Sequence, residues 1–154
     1  GENNMNLTRP FVSVLLGSLL CLSALSGHAE NSRDFGQYVV HFNALATDQL
    51  PARVAREYRI TRSKNRGMIN ITVLRKVLGS PGQPVHAFVE VTGTNLAGQY
   101  RRIPVREVRE GNAIYYIGEF GVTHEETVRF DVQARPQGSP DTLKLEFSQD
   151  FYTR

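Results

Sequence analysis

Apolar and polar residues alternate one by one along much of this chain. Val128, Phe130, Val132 and Ala134 alternate with Thr127, Arg129, Asp131, Gln133 and Arg135, the period-two pattern of a strand with one buried face. Leu143, Leu145, Phe147 and Phe151 stand in the same way against Thr142, Lys144, Glu146 and Ser148. Ile69, Ile71 and Val73 alternate with Asn70 and Thr72, and Ala87, Val89 and Val91 with His86, Glu90 and Thr92. Near the start, Tyr38, Val40 and Phe42 oppose Gln37, His41 and Asn43. Residues 103–109 and 113–120 flank Glu110-Gly111-Asn112, a short connection that reads as a hairpin. The Pro- and Gly-containing stretch 136–141 reads as a turn between the last two strands.

One segment has a different period. Leu50, Val54 and Tyr58 recur every four residues with Ala55 beside them, which predicts a short amphipathic helix closing before Thr61. Asp48 is placed to cap it, and Pro51 suits a first turn, where its missing N–H has no partner to lose. About seven strands and one helix predict an all-β antiparallel β-sandwich of immunoglobulin/fibronectin-like topology, with a small open β-barrel as the alternative. The Cys…Trp…Cys hallmark of immunoglobulin domains is absent, since the chain has no Trp.

The pattern changes character before residue 30. An uncharged apolar run over 11–25 follows Met5 and Arg9 and precedes Gly27-His28-Ala29, the layout of a secretory signal peptide over 5–29, cleaved after Ala29. Residues 1–4 read as a remnant or a misassigned start, and 30–154 as a single domain. The run falls short of the ~20 apolar residues of a membrane span, and Leu20 before Cys21 argues against lipidation. The expected location is the periplasm; the alternative is an inner-membrane anchor formed by an uncleaved segment. Cys21, the only cysteine, leaves with the signal peptide, so no disulfide or thiol chemistry is expected in the mature chain. Its net charge stays at +3, because Arg9 and Glu2 leave together.

Residues 40–44 (Val-His-Phe-Asn-Ala), 62–73 (Arg-Ser-Lys-Asn-Arg-Gly-Met-Ile-Asn-Ile-Thr-Val) and 110–117 (Glu-Gly-Asn-Ala-Ile-Tyr-Tyr-Ile) resemble the signature blocks of an uncharacterised proteobacterial family, catalogued as domain of unknown function 4426. The resemblance implies a periplasmic or exported β-sandwich protein of Gram-negative bacteria. It implies no activity, ligand or catalytic residue.

Candidate chemistry is sparse. His41, His86 and His124 lie at no metal-ligand spacing, and His86 and Glu90, four apart on one strand face, stand ~13 Å from each other. There is no G-x-S-x-G elbow, and the adjacent Glu125 and Glu126 point to opposite faces of an extended segment. Of the pair Tyr115 and Tyr116, one ring faces the core and the other the opposite face. The one surface signal is cationic: Arg53, Arg56, Arg59, Arg62, Lys64 and Arg66 are opposed in sequence only by Glu57. Arginine forks suit phosphate and carboxylate, whereas export and modest charge argue against nucleic acid.

The expected function is therefore that of an exported, non-catalytic β-sandwich protein binding a protein or an anionic envelope component through those six residues. No cofactor or metal is expected, and the membrane enters only through the signal peptide before cleavage. A small-molecule or lipid-binding module, with a pocket between helix and sandwich, and an enzyme whose site converges only in three dimensions are the alternatives.

Overall fold

The computed structural model describes residues 31–153; the expected signal peptide, its expected cleavage site and residues 1–4 lie outside them. The alternating stretches form two antiparallel sheets. One runs in the order β1 (Ser32–Asp34), β2 (Tyr38–Ala46), β3 (Arg66–Arg75), β8 (Ala113–Gly121), β7 (Val105–Glu110), with β4 (Gln83–Pro84) also on β3. The other runs β10 (Leu143–Phe151), β9 (Glu126–Pro136), β5 (Ala87–Asn95), β6 (Tyr100–Ile103). The order β2-β3-β8-β7 facing β10-β9-β5 is the ABED/GFC arrangement of an immunoglobulin-like sandwich, with β6 added beside the third strand. Neither sheet closes on itself, so the barrel alternative is excluded.

Among the described residues ten strands stand where about seven were expected. The short β1 and β4 pair through backbone and carry no hydrophobic period. The stretch 103–109, read as one strand, is broken at Pro104. Proline cannot donate to a ladder, and there the chain leaves β6 in one sheet and enters β7 in the other. The crossing runs close over β8: a Cβ on Gly118 would lie 2.7 Å from Ile103 Cγ2 and 3.0 Å from the Pro104 carbonyl oxygen. The β7–β8 hairpin is confirmed. Glu110 pairs with Ala113, leaving Gly111-Asn112 as the turn, with Gly111 at φ +57°.

Between the sheets, Val128, Phe130, Val132 and Ala134 are fully buried beside Ile69, Ile71, Val73 and Val40. Phe130 lies at the centre of an aromatic cluster, its ring 5.3 Å from Phe120, 5.0 Å from Phe147 and 6.5 Å from Phe151. Burial of such rings contributes about 2–3 kcal/mol each, in a core built without Trp or disulfide. Phe147, expected inside, is only half-buried, with its ring 4.5 Å from Phe42 on the facing sheet.

A second, smaller core lies on the outer face of the first sheet. Ala55 and Ile60 cover Met68 and Ile117, with Leu45, Leu50, Tyr58, Val108 and Tyr115 around them. The helix that does this, α1 (Ala52–Glu57), is fewer than two turns long, shorter than expected. Asp48 does not cap it; it lies in a 3-10 turn (Thr47–Gln49), and Pro51 occupies the cap position itself, outside the first turn.

Candidate functional site

The β2–β3 connection carries five of the six predicted cations and Arg66 opens β3, and the structure divides them. Its base is fixed by Thr47, which is fully buried. The Thr47 hydroxyl accepts from Ser63 N at 2.8 Å and shares its proton between Thr61 O at 2.9 Å and Ser63 O at 3.0 Å. Arg62 donates to the Asp48 carbonyl at 2.9 Å, and Arg66 pairs with Glu119 of β8 at 3.6 Å. Arg62 and Arg66 thus tie the segment to its surroundings.

The other four are placed differently. Arg53 and Arg56 lie on α1, Arg59 just after it and Lys64 in the following loop; all four are exposed. None has an acidic partner among the ion pairs of the described residues. Arg59 lies beyond the helix and ends it. The Ile60 N–H donates to Ala55 O and the Arg59 N–H to Arg56 O, a Schellman closure that puts Arg59 in the left-handed region at φ +55°. Glycine is the usual occupant of that position, and a side chain there costs about 1 kcal/mol.

Strand β7 holds the helix from its far end. Arg106 donates to the Tyr58 carbonyl, where the helix dipole favours a cation, and the Tyr58 hydroxyl donates to Glu110. That bond to a carboxylate, reinforced by burial, pushes the Tyr58 pKa well above its ordinary value. Tyr115, the outward member of its pair, packs against Tyr58 with ring centroids 6.1 Å apart.

A second polar cluster went unread in the sequence. Glu107 of β7 accepts from Arg109 Nε at 2.9 Å, from the Tyr116 hydroxyl at 3.2 Å and from His86 Nδ1 at 3.2 Å. Arg109 also donates to His86 Nε2 at 3.4 Å. A guanidinium only donates, so Nε2 accepts and the ring proton sits on Nδ1. Arg109 holds the Glu107 carboxyl below its ordinary range, helped by His86 and Tyr116 against partial burial. Burial raises the Tyr116 pKa, and its oxygen accepts from the Ala87 N–H at 2.8 Å. Only the i, i+2 pair Glu107 and Arg109 was available as a signal; His86 arrives from another part of the chain. A cleft of about 350 Å³ adjoins His86, between Phe88, Arg135 and the 136–139 turn.

His124 is used otherwise: its Nδ1 accepts from the Thr153 N–H at 3.0 Å, while Nε2 faces Glu125 at 3.2 Å. His41 lies on β2, pairing in register with Thr72. No group of three or more His, Cys, Asp or Glu among the described residues is placed to hold a metal ion. No helix of the described residues is long and apolar enough to cross a membrane.

Sheet order and core place the molecule among immunoglobulin-like β-sandwich proteins. The chain belongs to the family described as Domain of unknown function (DUF4426), whose model matches residues 32–154. Among solved structures it is similar to a DUF4426 family protein from Pseudomonas aeruginosa PAO1, at 29% identity, covering 79% of this chain and 93% of that one with a TM-score of 0.67. It is also similar to FetP of uropathogenic Escherichia coli strain F11, recombinantly expressed in the periplasm. That likeness, 7% identity over 79% of this chain and 92% of FetP with a TM-score of 0.56, is one of fold alone. No protein of curated function matches.

Proposed function

We propose that this is an exported, non-catalytic periplasmic protein that docks on phosphate-bearing components of the envelope through Arg53, Arg56, Arg59 and Lys64. The observation that carries the reading is the division of the six cations: two are engaged with the fold, and four are exposed without an acidic partner among the described residues. Guanidinium groups left with their forks unused suit phosphate oxygens. Arg59 adds a second argument, since a non-glycine residue kept in a left-handed conformation at a cost is the kind of outlier that marks function. The signal-peptide layout supports export. A non-catalytic role is favoured because both ring nitrogens of His86 and three of the roughly four lone-pair sites of Glu107 are engaged within the fold.

The test is binding of the 30–154 chain to vesicles of phosphatidylglycerol and phosphatidylcholine, against phosphatidylcholine alone. Binding should require the anionic lipid and fall steeply as salt passes physiological strength, where the screening length is ~8 Å. The triple variant Arg53→Glu, Arg56→Glu, Arg59→Glu should lose it with an unchanged circular dichroism spectrum. Equal binding by the triple variant would refute the reading. Capture of an acidic envelope protein, with no vesicle binding, would move the ligand from lipid to protein.

A further inference from the structure

A cleft of about 330 Å³ opens where the β5–β6 turn, the start of β6, the segment after β8 and the loop before β3 meet. Its size matches the lower end of small-ligand sites. The hydrogen bonds on its floor leave a one-sided inventory. Glu126, nearly buried, accepts from Thr123 N at 2.7 Å, Thr123 Oγ1 at 3.2 Å, Asn95 Nδ2 at 3.3 Å and Arg101 at 3.4 Å. A carboxylate has about four lone-pair sites, and all are taken. The Asn95 amide oxygen accepts from the Ala97 and Gln99 N–H groups, and its nitrogen also donates to the Gln99 amide oxygen at 2.7 Å. The acceptors of Glu126 and Asn95 are consumed.

The donors are not. Arg101 spends one long bond on Glu126, and its guanidinium carbon lies over the Phe120 ring, 5.6 Å from the centroid. Among the hydrogen bonds of the described residues it makes no other, and a guanidinium has five N–H groups. The Gln99 amide nitrogen and the side-chain amide of Asn65 line the same cleft without a hydrogen-bond partner among the described residues, and Tyr100 adds an exposed ring and hydroxyl. Arg101 and Glu126 cancel in net charge, so selection rests on directed donors rather than on field strength.

We infer that this cleft binds a monosaccharide-sized sugar acid. Its carboxylate would meet the free edge of Arg101, where a planar fork matches two oxygens. Its hydroxyls would meet the Asn65 and Gln99 amides, which donate and, at Asn65, also accept. The Tyr100 ring offers an apolar face to the sugar carbons and a polar tip to water. This site shares no residue with the Arg53–Lys64 docking group, so either assignment stands or falls without the other.

The experiment is calorimetric titration of the 30–154 chain with glucuronate, with glucose (a neutral hydroxymethyl in place of the carboxylate) and with acetate (a carboxylate without the sugar). Glucuronate should bind at least about tenfold tighter than either. Arg101→Gln should bring glucuronate down to the glucose level, and Gln99→Ala, which leaves the Arg101–Glu126 pair in place, should weaken both sugars. The variant with Arg53, Arg56 and Arg59 all changed to Glu should bind glucuronate as the unmodified protein does. Should Arg101→Gln fail to fold, Gln99→Ala and the three-ligand comparison still decide. No glucuronate binding, equal affinity for glucose or acetate, or an affinity indifferent to both cleft variants would overturn the inference.

Discussion

Arg59 occupies the position where a helix usually ends on glycine, and the protein bears the cost of a side chain there. Arg59→Gly should therefore raise stability in a denaturant titration by up to about 1 kcal/mol, while weakening attachment to anionic vesicles. A loss of stability would show that the Arg59 side chain holds the fold. Core residues give the opposite contrast. Phe130→Ala removes the ring at the centre of the aromatic cluster and should cost ~3–5 kcal/mol. Its neighbour Arg129, half exposed and 3.8 Å from both Asp131 and Glu146, should cost under ~1 kcal/mol when changed to alanine. Equal effects would mean that the strand parity is misassigned. Glu107 adds a pH dependence. Its folded pKa lies below its ordinary value, so its stabilisation is fully present above that value and is lost as pH falls through the folded pKa. Melting temperature followed from neutral pH down to about pH 3 should fall less steeply for Glu107→Gln than for the unmodified protein. Parallel curves would show that the Arg109 and His86 contacts do not hold in solution.

At the scale of elements, the crossing from β6 to β7 depends on a missing side chain. Gly118→Ala would push a methyl against Ile103 and the Pro104 carbonyl, and should cost about 1–3 kcal/mol. Gly121→Ala, in the same strand with open space around it, should change stability by less than about 0.5 kcal/mol. Thermal melts of the two variants would separate steric contact from backbone propensity. The same strands show what the sequence could and could not convey. Val128 to Ala134 were legible because one face meets the core and the other meets water, which writes the period directly. Met68 and Ile69 are consecutive and both buried, since α1 covers the outer face of β3. That cover comes from a remote segment, so alternation fails there without a local sign. The six cations were legible as a run. Their division was not, because the partners of Arg62 and Arg66 are a carbonyl at residue 48 and a carboxylate on β8, brought near only by the fold.

For the whole molecule, the sandwich fixes where each surface can act. Its two sheets bury the alternating faces against each other, and the β2–β3 connection lays a short helix on the outside of one of them. The four exposed cations without an acidic partner belong to that added layer, and β7 braces it through Arg106 and Glu110. A layer held in this way keeps its charges in place through packing and hydrogen bonds. The most direct measurement is residue-resolved nuclear magnetic resonance of the isotope-labelled 30–154 chain titrated with phosphatidylglycerol-containing vesicles. Selective loss of amide signal intensity over residues 52–66, reversed by added salt, is the expected result; intensity losses centred elsewhere, or none at all, would contradict the account.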